Sequence, residues 1–237
     1  MKRRDLITGF AGAVAGTAAP DSGVGLETLY IPDAHRVEDL KLLQDTMDDY
    51  PFADLVTTSP ALRITHIPVW LDRSAGKFGT LYGHVAKHNP QSSAFDERNT
   101  AVIVFHGPHA YISPSWYENP KSVPTWNFST VHVSGKPQPV TDESQVHALL
   151  ATLIARSEGK YSKSNYNFEE LPKSYTSSLM QGIVGFRMPI DNLEGKFKPG
   201  QERSEKDKES IVAHLKTMPG EQAVGEYTAK IYERLRR

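Results

Sequence analysis

Apolar and polar residues change period near residue 51, and that change divides the chain into its elements. Residues 33–50 place Val37, Leu40, Leu43 or Gln44, and Met47 on one face and charges on the other. This is the spacing of an amphipathic helix, and Pro51 ends it. From Phe52 the period becomes that of strands. Residues 52–58 and 62–71 are joined at Ser59-Pro60, and a polar turn over 72–77 leads to a strand over 78–85. Residues 100–106 form a β-branched run that continues at 109–112 beyond Gly107-Pro108, and 131–135 form another strand. The later pattern predicts a helix over 146–157, a polar loop over 158–170 and a short helix over 174–181. A returning strand over 182–190 closes the sheet. Residues 196–208 read as an exposed charged loop. Two helices follow, the last with Tyr227, Ile231 and Leu235 on one stripe. Short strands in succession with Gly/Pro turns favour a barrel or sandwich over a βαβ sheet, an α+β and mainly β class.

The first twenty residues follow another pattern. Lys2-Arg3-Arg4 precedes a mildly apolar, Gly-rich run, and Thr17-Ala18-Ala19 offers small residues before Pro20. This order predicts a signal over 1–20, too short and too Gly-rich to span a bilayer. Its paired arginines suit the twin-arginine route to the periplasm. A flexible basic tail on a cytoplasmic protein is the alternative. Composition narrows the chemistry further. A net charge of -1 gives no domain-wide basic field, which speaks against nucleic acid as a partner. The absence of cysteine removes disulfides, thiolate nucleophiles and cysteine-ligated metals.

Neither a Gly-x-Gly-x-x-Gly turn nor a phosphate loop is present, so any nucleotide must be held by side chains. Gly83-His84-Val85-Ala86-Lys87-His88-Asn89-Pro90 supplies two imidazoles, an ammonium and an amide where a strand ends and a short helix begins. Such a set can donate to a phosphate. A second, denser cluster runs from Tyr111-Ile112-Ser113-Pro114-Ser115-Trp116-Tyr117 to Val123-Pro124-Thr125-Trp126-Asn127-Phe128. Aromatic faces beside hydroxyls suit a flat heteroaromatic ring, and core packing is the competing explanation. Histidines gathered between His66 and His132 keep a haem or metal site open. Ser113 and Ser115 lack the nucleophile elbow of a hydrolase.

Taken in order, several motifs resemble one family. They are Leu29-Tyr30-Ile31-Pro32, Thr65-His66-Ile67-Pro68, the segments at 83–90, 111–117 and 123–127, Ile183-Val184-Gly185-Phe186 and Glu194-Gly195-Lys196-Phe197-Lys198. The chain resembles the PaiB family of FMN-binding negative transcriptional regulators over roughly residues 29–215. The resemblance implies an FMN-binding split β-barrel over 28–200 with a helical segment over 201–237. It also implies a homodimer with the flavin between subunits. By analogy, His84, Lys87 and Asn89 become phosphate contacts, while Thr65, His66, Ser113, Trp116, Thr125, Trp126 and Asn127 become ring or ribityl contacts. Lys196 and Gln201 belong to a loop that departs from the family's Gly-Lys-Trp-Lys-Leu-Ser-Gln-Asn, since Pro199-Gly200 replaces the hydroxyl-bearing turn. An exported flavin oxidoreductase on a small-molecule substrate is the preferred expectation. A cytoplasmic regulator is the alternative.

Overall fold

The computed structural model describes residues 27–162, 164 and 166–236, so the predicted signal over 1–20 lies outside the described residues. The strands are β1 (Arg36–Val37), β2 (Phe52–Thr57), β3 (Arg63–Asp72), β4 (Thr80–Ala86), β5 (Ala101–Ile112), β6 (Thr125–Gly135), β7 (Gln138–Val140) and β8 (Ile183–Lys198). The helices are α1 (Leu40–Asp49), α2 (Glu143–Ser157), α3 (Lys173–Met180), α4 (Glu205–Thr217) and α5 (Gln222–Leu235). Strands pair in the order β8-β4-β3-β2-β5-β6, and β6 returns to β8, so the sheet closes into a ring. All pairings are antiparallel.

β8 makes that closure. Its first half pairs with β4, from Ile183 opposite Ala86 to Pro189 opposite Thr80. Its second half pairs with β6, from Ile190 opposite Gly135 to Lys198 opposite Phe128. The returning strand therefore runs eight residues beyond 190. The charged stretch read as a loop begins inside it, because Phe197 points into the core between Lys196 and Lys198. At the crossing of β6 and β8, a Cβ on Gly135 would overlap the carbonyl of Pro189, so glycine permits this close approach.

β2, β3 and the first half of β5 alternate as half-buried strands must. Leu55, Leu71, Leu81, Ile103, Phe105, Val131, Phe186, Met188 and Phe197 fill the ring. α1 plugs one end with Leu42, Leu43 and Met47. Its start differs from the periodic reading. Asp39 caps the helix by accepting from the Leu42 amide at 3.1 Å, whereas Val37 belongs to a short strand on β8. β4 runs from Thr80 to Ala86 where the sequence predicts 78–85, and β6 begins at Thr125 rather than 131. The earlier residues of β6 pair Thr125 to Phe128 with β5 from Ile112 back to His109, across a register shift between His106 and His109. Together α4 and α5 form the helical C-terminal part. Ile211 and Leu215 of α4 pack with Ala110, Ile112 and Tyr117. Among the described residues no helix is long and apolar enough to cross a membrane.

Candidate functional site

Residues alternating with the core point outward from β3, β2, β5, β6 and β8, and they are unusually apolar for an open face. Phe52 is 64% exposed, Ile64 58%, Trp126 55% and Tyr111 46%. Trp126 lies edge-on to Tyr111, with ring centroids 5.9 Å apart, and His109 is 6.2 Å from it. Two ammonium groups border these rings. Lys198 donates to Thr125 Oγ1 at 2.6 Å. Lys196 donates to the Tyr30 carbonyl at 2.9 Å and lies over the rings of Tyr30 and Phe128. Stacking surface and cations thus share one face, set there by the period of two along β5, β6 and β8, while Thr125, of opposite phase at the start of β6, meets Lys198 at the strand end.

Beside this aromatic bay is a set of imidazoles that no single motif marked. Asp54 on β2 stands opposite His66 on β3 and bonds its Nδ1 through one oxygen. The other oxygen is 2.9 Å from His106 Nε2. Burial pushes the Asp54 carboxyl up, but the bonds from His106 and His66 outweigh it and hold the group below the usual carboxylate range. Further along the face, Thr28 Oγ1 donates to the half of Glu194 that faces it at 2.6 Å and is 3.2 Å from His132 Nδ1. Burial lowers the His132 pKa, Glu194 opposes that shift, and His106 adds to it. Despite this density of histidine, no group of three or more His, Asp or Glu among the described residues is placed to hold a metal ion.

The residues singled out in the sequence separate into distinct places. His66, Trp126 and Lys196 share the outer face, and Thr125 lies at the start of β6 within reach of Lys198. Thr65 and Asn89 instead serve a buried amide: Thr65 Oγ1 donates to Gln91 Oε1 at 2.5 Å and accepts from Asn89 Nδ2 at 3.0 Å. His84 and Lys87 are not brought to the aromatic bay. His84 is lowered in pKa by burial and its Nδ1 has no partner, while Lys87 borders a cavity of about 290 Å³ under α2 and α3 together with Glu143. Ser113 caps a turn by accepting from the Ser115 amide, and Trp116 stacks on His214 of α4 at 4.9 Å. Asn127 points inward and donates to the Pro199 carbonyl at 2.6 Å. Gln201 donates to the Ala34 carbonyl at 2.5 Å and to that of Phe197 at 3.0 Å. Asn127 Oδ1 and Gln201 Oε1 are buried acceptors left without a donor, both next to the turn that follows Lys198.

Sequence reasoning left Asp54, Lys198 and Gln91 out of the candidate site and weighed His106 only as one of the histidines of a haem or metal site. A signal for the first was present in the alternation of β2, where Asp54 is the one charge among mostly apolar residues.

A closed antiparallel ring of strands defines the class, a split β-barrel. Residues 29–192 match a family model described as "Putative FMN-binding domain", and the chain belongs to that family. Among curated relatives, it is 29% identical to the protease synthase and sporulation protein PAI 2 of Bacillus subtilis, covering 79% of this chain and 89% of that protein. An uncharacterized protein of Emericella nidulans is 30% identical, with 80% of this chain and 91% of that protein covered. Of solved structures, the flavocytochrome Anf3 of Azotobacter vinelandii superposes with a TM-score of 0.52 at 15% identity, over 73% of this chain and 74% of that one. An FAD- and heme-binding protein of Mycobacterium smegmatis gives 0.51 at 15% identity, over 76% and 80%. At such identity the two structures share the fold.

Proposed function

We propose that FMN lies on the outer face of β5, β6 and β8, covered by a second copy of the chain, and that the pair acts as a flavin oxidoreductase on a small molecule. The observation that carries this reading is the conjunction of open Trp126 and Tyr111 rings with a Lys198 ammonium anchored on Thr125. A phosphorylated tricyclic ring needs a flat apolar wall and a cation for its phosphate. The wall is Trp126 with Tyr111 and Phe128, and the cations are Lys198 and Lys196. Lys87 shares its cavity with the Glu143 carboxylate, an unfavourable neighbour for a phosphate dianion.

Bound FMN would supply hydride and electron transfer. The chain itself would orient the ring, cover it from water through the second copy, and hold protons at the same face on His66 and His106, both fixed by Asp54. A comparison of FMN with riboflavin tests the assignment, because the two differ only in the phosphate. Lys198→Met is expected to weaken FMN binding by about tenfold or more and to leave riboflavin nearly unchanged, as for the loss of one charge-assisted bond. Trp126→Ala should weaken both, and Lys87→Met neither. Flavin fluorescence follows all three. An undiminished preference for FMN in the Lys198 variant would remove the phosphate from this face.

A further inference from the structure

The C-terminal end of α2 covers a cavity of about 200 Å³ at the edge of β2 and β3, lined by Phe52, Pro68, Trp70, Leu153, Arg156 and Lys160. Its walls are mostly apolar, and its size is informative. A dry apolar cavity of about 150 Å³ accepts benzene, so this one holds a single ring with a small substituent. A tricyclic flavin does not fit, since sites for ligands of that size begin at about 300 Å³.

Charge narrows the ligand. The lining carries Arg156 and Lys160 against one carboxylate, Asp48. Both Asp48 and Lys160 are already engaged. Arg73 donates twice to Asp48 Oδ2, at 2.6 and 2.9 Å, and Lys160 donates to the carbonyls of Asp48 and Asp49 at 2.7 and 2.6 Å, closing the end of α1. Arg156 is the spare cation. Among the described residues its one ion pair is a long hydrogen-bonded contact of 3.5 Å to Asp48 Oδ1, it also helps to lower the Asp72 carboxyl, and its guanidinium lies 5.2 Å from the centre of the Trp70 ring. A second donor is also idle: the Trp70 indole N–H is buried and has no acceptor, while Tyr82 stacks on the ring at 4.3 Å and fixes it. An apolar slot with one uncommitted guanidinium and one orphaned N–H calls for a monoanion with a hydrophobic body.

We propose that this cavity binds a small aromatic monocarboxylate, its ring between Phe52, Pro68 and Leu153 and its carboxylate on Arg156, with the Trp70 N–H as a second donor. The site is separate from the flavin face and stands whether or not FMN binds there. It nevertheless adjoins the imidazole pair, because Phe52 and Asp54 are alternate outward residues of β2, as Pro68 and His66 are of β3. A phosphate would find one free cation where it needs several.

Sodium benzoate titrated calorimetrically into the full-length protein is the test. Saturable binding is expected, with benzamide, which has the same shape and no charge, weaker by about tenfold or more. Arg156→Met should lose benzoate by a similar factor while keeping its circular dichroism, since that side chain is half exposed and packs little. Lys198→Met should bind benzoate as the unaltered chain does. No saturable binding, equal binding of benzamide, or undiminished binding in the Arg156 variant overturns the proposal. Loss of benzoate in the Lys198 variant would also overturn it, by moving the anion to the flavin face.

Discussion

Gln91 is fully buried, and its side chain joins three parts of the barrel end. Its Nε2 donates to the Leu55 carbonyl at 2.9 Å and, more loosely, to that of Arg63 at 3.3 Å, while its Oε1 receives the Thr65 hydroxyl. Gln91→Leu would keep the volume and abandon all of these partners. Leaving buried carbonyl and hydroxyl groups unpaired costs about 1–3 kcal/mol, so urea denaturation should show a loss of that size with FMN affinity unchanged. A parallel loss of flavin would mean instead that Thr65 and Asn89 reach the cofactor. These two residues show what single positions can reveal. Their motifs were visible in the chain, but a hydroxyl or amide beside a turn has the same appearance whether it faces a ligand or a buried glutamine. Trp126 was separable from Trp116 only through strand phase, since one falls on the outer row of β6 and the other on a turn beneath α4.

Among elements, α1 is held at the barrel mouth by its core residues and by two carboxylates, of which Asp45 gathers the most partners. Asp45 accepts from Lys41, from Arg73 after β3 and from Arg234 on α5. Burial pushes its carboxyl up, yet the bonds from Lys41, Arg234 and Arg73 prevail and hold it at about 2. A carboxyl depressed in the folded state gives stability that is complete above its unfolded value of about 3.9 and is lost as pH falls through the folded one. Asp45→Asn should therefore lower stability at neutral pH by about 1–3 kcal/mol and flatten the acid loss between about pH 4 and 2. Urea midpoints across that range measure both, and an equally steep acid limb in the variant would refute the assignment. Most strands and helices were legible because their periods are clean. Their ends were less so. The start of α1 was set by the Asp39 cap rather than by the apolar stripe, and the length of β8 was hidden because lysines flank its last core residue.

For the whole molecule, the outer face is the property that a single chain leaves unresolved. An exposed surface carrying Ile64, Tyr111 and Trp126 suits a two-fold contact, for which about 800 Å² per partner is usual. Light scattering should give about twice the 26.4 kDa of one chain, and Ile64→Lys should return it to a monomer with an unchanged core. A monomeric unaltered protein would leave that face to another partner. The ring was foreseeable from strand count and turns. The face it turns outward was not, because the alternation says which residues leave the core and is silent on what meets them. The closure by β8 also bears on synthesis. A nascent chain that has left the ribosome only as far as α3 has β4 and β6 complete, yet each lacks the neighbour that β8 provides. Two open edges thus coexist until β8 emerges, and both are sealed by the same sixteen residues.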